Sequence, residues 1–226
     1  AELAELMGEE NDYLARYEAM KETVNRVAWD GEWYARATMD DGRFLGVKRE
    51  PMAKIWLNAQ TWAVLSGMAP AQRAHQAMDS VRRYLNTPLG IKKIDPAMAD
   101  YPTPEDPLTY YNKGCGENGS VFCHANAWAV IAECLLGRGE RAWEYYSQLL
   151  PMNAQAKAGE WRYKAEPYVY SSNIFGPESD KFGLANVSWL TGTAAWMYVA
   201  FTQYLLGVKP VWGGLSIEPC LPPQWE

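Results

Sequence analysis

Three short stretches of this 226-residue sequence place chemically active side chains at defined spacings. In AWDGEW, Asp30 stands between Trp29 and Trp33. Burial against two indole rings would raise the pKa of its carboxyl group and make it a general acid near neutral pH. The alternative is that Asp-Gly is ordinary turn chemistry. Asp30 is the candidate proton donor of the chain.

Two other stretches are candidates for anion binding. GENGSVFCHANAW holds His124, and only one other histidine exists in the chain. At the start of a helix a protonated imidazole is disfavoured unless an anion lies beside it, so His124 is either neutral and hydrogen-bonded in the core or next to an anion. SWLTGTAAW places Thr191 and Gly192 at a predicted helix start, where free N–H groups cradle anions. Capping of that helix by Ser or Thr is the alternative.

The remaining composition excludes several classes of function. The net charge is -6 with no long run of either sign, which argues against a nucleic-acid partner. No apolar stretch approaches the roughly 20 residues that span a bilayer, and the acidic first residues lack a basic signal region. Metal-ligand spacings and nucleotide-binding motifs are absent, so the sequence predicts no metal and no cofactor. We expect a cytoplasmic protein without a membrane partner.

The cysteines and the aromatic residues are informative in different ways. The four cysteines form no C-x-x-C pair, which predicts reduced thiols. The chain has 11 Trp and 14 Tyr but only 5 Phe. Trp and Tyr combine an apolar face with a polar edge, which suits binding to sugar rings, whereas filling of the core is the alternative for any single ring.

Helical hairpins must position these residues. Apolar spacing from Leu3 to about Val24 predicts an amphipathic helix that packs one face on a core. The turn signals Asp30-Gly31 and Asp41-Gly42 predict a loop or a short hairpin. Further helices are predicted at 53–67 and 71–86, at 120–137 and 140–150, and at 188–207.

Long loops separate the predicted hairpins. The Pro-rich residues 87–119 and residues 151–187 are predicted loops, and residues 214–226 a final strand with a Pro stop. There is no βαβ alternation, so the sequence predicts an all-α toroid or barrel of hairpins whose loops gather at one end.

Together these stretches resemble the inverting glycoside phosphorylases of the cellobiose, cellodextrin and chitobiose phosphorylase family. The resemblance runs from about Trp29 to Pro223 and includes WDGEWYARATMDDGRFLG, IWLNAQTWAVLSG, ENGSVFCHANAWAVIAECLLGRGERAWEYY, EPYVYSSNIFG, NVSWLTGTAAWMYVAFTQYLLGVKP and GLSIEPCLPP. It implies that residues 1–207 are the second half of an (α/α)6 six-hairpin catalytic barrel. Residues 208–226 would begin a C-terminal β jelly-roll tail, and an upstream half would be missing from this piece.

The resemblance also assigns roles. Asp30 corresponds to the general acid, and His124, Thr191 and Gly192 correspond to the phosphate-binding residues. Sugar-binding positions are Glu117, Trp29, Gln60 and Tyr111.

The implied reaction is reversible phosphorolysis of a β-linked glucosyl disaccharide or oligosaccharide to an α-sugar 1-phosphate. Inorganic phosphate is the co-substrate and already an anionic nucleophile, so one acid suffices where an inverting hydrolase needs a second carboxylate. The full-length protein is expected to be a homodimer. The alternatives are an inverting hydrolase, with Glu117 or Asp180 as the second carboxylate, and a non-catalytic glycan-binding piece.

One departure from the family pattern concerns the acceptor sugar. Gly116 stands where many cellobiose-type members are expected to have a lysine, which removes a charged donor. A cellodextrin or a sugar acid such as cellobionic acid therefore becomes a candidate substrate. The isolated piece also lacks the upstream half in which the family keeps its phosphate-binding and donor-sugar arginines, so we expect it to be inactive alone.

Overall fold

The computed structural model describes residues 1–98 and 111–225. Its helices in this part of the chain are α1 (Glu2–Leu6), α2 (Tyr13–Val27), α3 (Leu57–Leu65), α4 (Ala71–Leu85), α5 (Cys123–Leu135), α6 (Gly139–Leu149), α7 (Pro151–Ala158), α8 (Glu160–Tyr163) and α9 (Thr193–Val199). A π-helical segment, Ala200–Leu205, continues α9, and a 3-10 turn covers Pro223–Trp225. None of these helices combines the length and the apolar character needed to cross a membrane.

Short strands precede or join the helices. They are β1 (Ala37–Thr38), β2 (Phe44–Leu45), β3 (Ile55–Trp56), β4 (Asn86–Thr87), β5 (Gly90–Ile91), β6 (Ile94–Asp95), β7 (Val121–Phe122), β8 (Ser171–Ile174), β9 (Ala185–Ser188), β10 (Val208–Val211) and β11 (Gly214–Ile217). All pair antiparallel, as β1–β2, β3–β6, β4–β5, β7–β8–β9 and β10–β11. The prediction of a purely all-α fold is therefore wrong: small sheets fix the segments that lead into and out of the helices.

The two central helical hairpins are confirmed. Helix α3 packs on α4, and α5 packs on α6. Helix α5 is the middle of the fold, since it also contacts α3 on one side and α9 on the other. Its buried positions include Ala125, Ala129 and Ala132, whose small side chains allow neighbouring helices to approach closely. Helices α3, α5 and α9 therefore form one row in the core.

The starts of these three helices lie at the same end of the fold. Strands β3 and β7 lead directly into α3 and α5, and β7 shares a sheet with β9, which precedes α9. The backbone N–H of Leu57 donates to the Lys93 carbonyl at 2.9 Å, and the N–H of Lys93 donates to the Ser120 carbonyl at 2.9 Å. These bonds join the start of α3 to the start of α5. The N-terminal ends of all three helix dipoles are thus collected in one region.

The predicted helix over 3–24 is interrupted. Residues 7–12 separate α1 from α2, and Gly8 there has φ +69°, a conformation that suits glycine. No residue of α2 is fully buried. In its last turn Val24 packs against the buried cluster that includes Tyr34, and the Tyr17 hydroxyl donates to the Ser66 carbonyl at 3.0 Å, while Leu14 and Met20 are exposed. The predicted packing of one face is therefore present only in part.

Two predicted irregular regions contain regular structure. Residues 151–187 were expected to be a loop but include α7, α8 and β8. Pro151 begins α7, because proline is well suited to the first turn of a helix. The described parts of 87–119 hold β5 and β6, and residues 99–110 of that predicted loop lie outside the described residues.

The turn and tail predictions are confirmed in outline. The segment after Asp30 contains the β1–β2 hairpin. The predicted final strand is β11, which pairs with β10 in a hairpin.

Candidate active site

His124 and Gly192 meet at the starts of α5 and α9. A Cβ atom added to Gly192 would lie 2.8 Å from Cε1 and 3.0 Å from Nδ1 of His124, so the absence of a side chain at position 192 gives the imidazole its place. The same ring contacts Trp128 and Trp196, with centroid separations of 4.8 and 5.9 Å. The structure thus brings together two residues that are far apart in the sequence.

The imidazole of His124 keeps an unused polar atom. Its Nε2 is buried and has no hydrogen-bond partner among the described residues. Burial lowers the pKa of His124, so the ring is neutral near pH 7. The predicted neutral state is therefore present, but without a core hydrogen bond to Nε2. An anion at this point would give Nε2–H an acceptor and would meet the positive ends of the nearby helix dipoles.

Thr191 is part of the turn that begins α9. Its Oγ1 accepts the backbone N–H of Thr193 at 3.1 Å and lies 2.6 Å from Oγ1 of Thr193. The N-cap residue of α9 is Gly192, without a side-chain cap hydrogen bond, so Thr191 closes the turn before the helix and does not occupy the cap position. Upstream, Val187 and Trp189 have positive φ angles of 54° and 70°. Such strain in non-glycine residues is concentrated at functional sites.

Asp30 occupies a turn between α2 and β1. The backbone N–H of Lys48 donates to its carboxylate at 2.6 Å. The indole N–H of Trp33 donates to the carbonyls of Gly46 and Lys54, and Trp29 packs edge-on against Tyr34. Asp30 is half-buried, and its enclosure between the two indole rings stays a prediction.

Gln60 anchors the segment that carries Asp30. It is fully buried, and its Oε1 accepts the N–H of Tyr34 at 2.8 Å while its Nε2 donates to the carbonyls of Tyr34 and Trp56. From α4, the Gln76 side chain also donates to the Gly31 carbonyl at 2.8 Å. Both amide atoms of Gln60 therefore serve the backbone, which gives it a positioning role. Direct sugar contact by Gln60 stays a prediction.

Glu117 is paired with a buried lysine that sequence reasoning did not identify. Lys93 Nζ forms a salt bridge with the Glu117 carboxylate and lies 4.6 Å from the centre of the Phe122 ring. Burial, and then the positive charge of Arg36, lower the pKa of Lys93 to about 8, whereas the contact with Glu117 favours its charged form. A cation thus stands beside Glu117 even though position 116 is glycine. Two adjacent lysines in GIKKID would normally be taken for solvent-exposed residues.

Tyr111 lies over Gly116. A Cβ atom on Gly116 would come within 2.8 Å of the Tyr111 ring, and Gly116 has φ +46°. The Asn118 side chain holds this loop by donating to the Tyr111 carbonyl at 2.8 Å and accepting the Met98 N–H at 2.7 Å. Tyr111 is 48% exposed. A side chain at position 116, directly before Glu117, would therefore displace this half-exposed aromatic ring.

A row of tryptophans connects α3 with the His124 region. Trp62 and Trp128 pack edge to face with centroids 5.2 Å apart, and Trp128 and Trp196 are 5.8 Å apart. Trp62 remains 44% exposed. Among the many Trp and Tyr residues of the chain, these three tryptophans lie beside the candidate anion site. Asp180, by contrast, is an exposed carboxylate whose pocket also includes Cys115 and Lys181.

The comparison with known protein families identifies the family of the chain. Residues 1–207 match the model of the glycosyl hydrolase 94 superfamily, catalytic domain. The chain belongs to this superfamily. The resemblance recognised in the sequence is thereby confirmed, and glycosyl hydrolase 94 catalytic domains are (α/α)6 barrels.

Several curated proteins of the glycosyl hydrolase 94 type are similar to the chain. Solabiose phosphorylase of Paenibacillus borealis is 39% identical over 92% of the chain and 27% of its own length. N,N'-diacetylchitobiose phosphorylase of Vibrio proteolyticus is 38% identical over 99% of the chain and 28% of its own length. The 3-O-beta-D-glucopyranosyl-beta-D-glucuronide phosphorylase of Paenibacillus borealis is 34% identical, over 91% and 26%. The chain thus spans about a quarter of the length of these relatives.

Proposed function

We propose that the protein carrying this chain catalyses reversible, inverting phosphorolysis of a β-linked glucosyl disaccharide or oligosaccharide. The observation that carries the proposal is the contact between the His124 ring and Gly192 at the start of α9, together with the buried Nε2 of that ring, which has no partner among the described residues. The similar proteins whose names state a disaccharide phosphorylase activity support the same reaction.

Phosphate would bind between the starts of α5 and α9. Nε2–H of neutral His124 donates to a phosphate oxygen, and the backbone around Thr191 and Gly192 supplies further donors. A neutral imidazole suits this role because it leaves the dianionic nucleophile charged. The helix N-termini gathered here help to stabilise that charge.

Asp30 would act as the single general acid. Its proton passes to the glycosidic oxygen while a phosphate oxygen attacks the anomeric carbon from the opposite face of the sugar. The bond to the leaving sugar breaks, and the β-linkage becomes an α-sugar 1-phosphate. Gln60 holds the Asp30 segment on α3 through Tyr34. In reverse, the same groups synthesise the disaccharide.

The acceptor sugar would lie near Glu117, Lys93 and Tyr111. Tyr111 offers an exposed ring for stacking, and the Lys93–Glu117 pair offers a donor and an acceptor for hydroxyl groups. We include cellobiose, cellodextrins and cellobionic acid among the substrates to be tested. The disaccharide in the name differs among the relatives, and one of them is named for a glucopyranosyl glucuronide. We also propose that the full-length protein is a cytoplasmic homodimer and that a jelly-roll tail begins at about residue 208.

The test compares two aspartate variants of the full-length protein. Asp30→Asn removes the proposed acid, while Asp40→Asn changes an exposed aspartate in the turn of the neighbouring β1–β2 hairpin. Each is incubated with cellobiose, cellotriose, cellobionic acid, laminaribiose, solabiose and diacetylchitobiose, with and without inorganic phosphate. We expect α-sugar 1-phosphate from wild type and Asp40→Asn, and a loss of about 100-fold or more in Asp30→Asn.

Other outcomes would replace the proposal. Release of free sugars at a rate independent of phosphate would indicate a hydrolase. Sugar binding without turnover, in wild type as in both variants, would indicate a glycan-binding protein. Full activity of Asp30→Asn would show that Asp30 is not the general acid.

A further inference from the structure

We propose that Cys134 and Cys220 are a redox-sensitive thiol pair, which hydrogen peroxide converts into a disulfide between the end of α5 and the C-terminal tail. All four cysteines of the chain are free thiols. Cys134 and Cys220 line the same cavity, and each is the neighbour that changes the pKa of the other most. The inference concerns the opposite end of α5 from His124 and is independent of the proposed function.

The backbone holds the two cysteines together. Cys134 is in the last turn of α5. The N–H of Cys220 donates to the Leu205 carbonyl at 3.0 Å, and the N–H of Glu218 donates to the Gly207 carbonyl at 2.9 Å. These bonds fix the segment that follows β11 against the end of the π-helical segment. The position of Cys220 therefore does not depend on a flexible terminus.

Close backbone contact also supports this docking. A Cβ atom on Gly139, the first residue of α6, would clash with the Leu221 carbonyl oxygen. A Cβ atom on Gly207 would clash with the Glu218 carbonyl oxygen. Only glycine at both positions lets the tail lie this close to the helices. The two glycines thus allow the segment that carries Cys220 to pack directly against the helices.

Solvent and small oxidants can reach the pair. Both thiols line an open cavity of about 590 Å³, together with Tyr204, Lys209 and Glu218. Cys134 and Cys220 are each half-buried. Buried cysteines that no reagent reaches are inert, whereas thiols at a cavity wall with a lowered pKa are the reactive class.

The environment gives the two thiols different roles. Interaction with the Cys134 thiol lowers the pKa of Cys220 to about 7, so a large fraction is thiolate at neutral pH. The same interaction, followed by burial, raises the pKa of Cys134, which keeps its proton. Glu133 raises the pKa of Cys134 further, and Lys209, whose ammonium lies 4.4 Å from the Tyr204 ring centre, lowers it slightly. Cys220 is therefore the nucleophile and Cys134 the resolving thiol.

The oxidation proceeds in two balanced steps. The Cys220 thiolate attacks one oxygen of hydrogen peroxide, the O–O bond breaks, and Cys220 sulfenic acid and hydroxide form. The Cys134 sulfur then attacks the Cys220 sulfur. The S–S bond forms, the S–O bond breaks, and the departing hydroxide takes the Cys134 proton to give water. Two thiols are oxidised and one peroxide is reduced.

The test uses the full-length protein treated with hydrogen peroxide, blocked with iodoacetamide, digested and examined by mass spectrometry. We expect a peptide pair joined through Cys134 and Cys220, which thiol reductants separate. In Cys134→Ser the sulfenic acid on Cys220 has no resolving thiol, so dimedone labels it. Joined peptides that involve Cys115 instead, or unmodified Cys134 and Cys220 after treatment, would overturn the proposal.

Untreated protein offers a second measurement that needs no variant. Iodoacetamide should modify Cys220 at least about tenfold faster than Cys115 at pH 7, because reactivity follows the thiolate fraction. Burial raises the pKa of Cys115, another half-buried thiol, which makes it the matched reference. Equal rates at the two positions would contradict the assigned nucleophile.

Discussion

Replacing Gly192 by alanine tests the contact on which the proposed phosphate site depends. The new methyl carbon would lie 2.8 Å from Cε1 of His124, whereas carbon atoms in contact normally lie about 3.5–4.0 Å apart. The imidazole must therefore move by about 1 Å. The backbone at Gly192, with φ -77° and ψ 0°, suits alanine without strain. The substitution should disturb the site and not the fold.

The expected effect follows from this displacement. A misplacement of about 1 Å in a catalytic arrangement can cost about 100-fold in rate. We expect kcat/KM for phosphate to fall roughly 10- to 100-fold in Gly192→Ala, equivalent to about 1.4–2.7 kcal/mol. The free energy of unfolding should change by less than about 1 kcal/mol. The assay is release of sugar 1-phosphate at varied phosphate concentration, with thermal unfolding followed by circular dichroism.

Gly214→Ala is the matched control. Nothing lies within 4 Å of a Cβ atom at that position in β11, and its φ is not positive. This variant should keep the wild-type constants. If Gly192→Ala keeps phosphate kcat/KM within about twofold of wild type while it folds normally, the reasoning about the His124–Gly192 contact is refuted.

Three further predictions concern buried polar groups. The pKa of Lys93 is lowered to about 8, so its positive charge beside Glu117 is lost above that pH. The rate of disaccharide synthesis should therefore fall above pH 8. The Lys93→Met variant lacks this charge at every pH, so it should show an increased KM for the acceptor sugar already at pH 7. Burial raises the pKa of Glu133 to about 7 in the folded protein. Protonated Glu133 therefore stabilises the fold below the pKa of the unfolded chain, and this contribution to the free energy of unfolding is lost as the pH rises through 7. Chemical unfolding should therefore show a loss on the order of 3 kcal/mol between pH 4.5 and 8 that Glu133→Gln lacks. Asn126 is fully buried and hydrogen-bonded to both backbone groups of Ile91, so its replacement by alanine should cost about 2–4 kcal/mol. The exposed Asn186→Ala variant should unfold like wild type; equal unfolding midpoints for the two variants would contradict this.

Local periodicity explains why the central helices could be predicted. Helices α4 and α6 are strongly amphipathic, and the short connections between α3 and α4 and between α5 and α6 indicate hairpins directly. Pro151 shows the limit of local signals: the same residue ends one helix and begins another, and the sequence was interpreted as if it only ended one. The strands were largely missed because most have only two residues and depend on pairing with distant segments.

The sequence identified most residues of the candidate site, but not the contacts between them. His124 and Gly192 were identified separately, and the structure adds their contact. Lys93 was missed because its partner Glu117 lies 24 residues away in the sequence. The resemblance assigned Gln60 to sugar binding, whereas its side chain forms hydrogen bonds with the backbone of Tyr34. Long-range contacts of this kind leave no periodic signal in a single sequence.

The central claim is that phosphate, and not water, attacks the sugar. Proton NMR of the full-length protein's reaction with its active disaccharide, followed in phosphate buffer and in buffer without phosphate, measures this directly. Our account predicts an α-anomeric sugar 1-phosphate and one equivalent of acceptor sugar, with no reaction when phosphate is omitted. Two free sugars that form at the same rate in both buffers would contradict it.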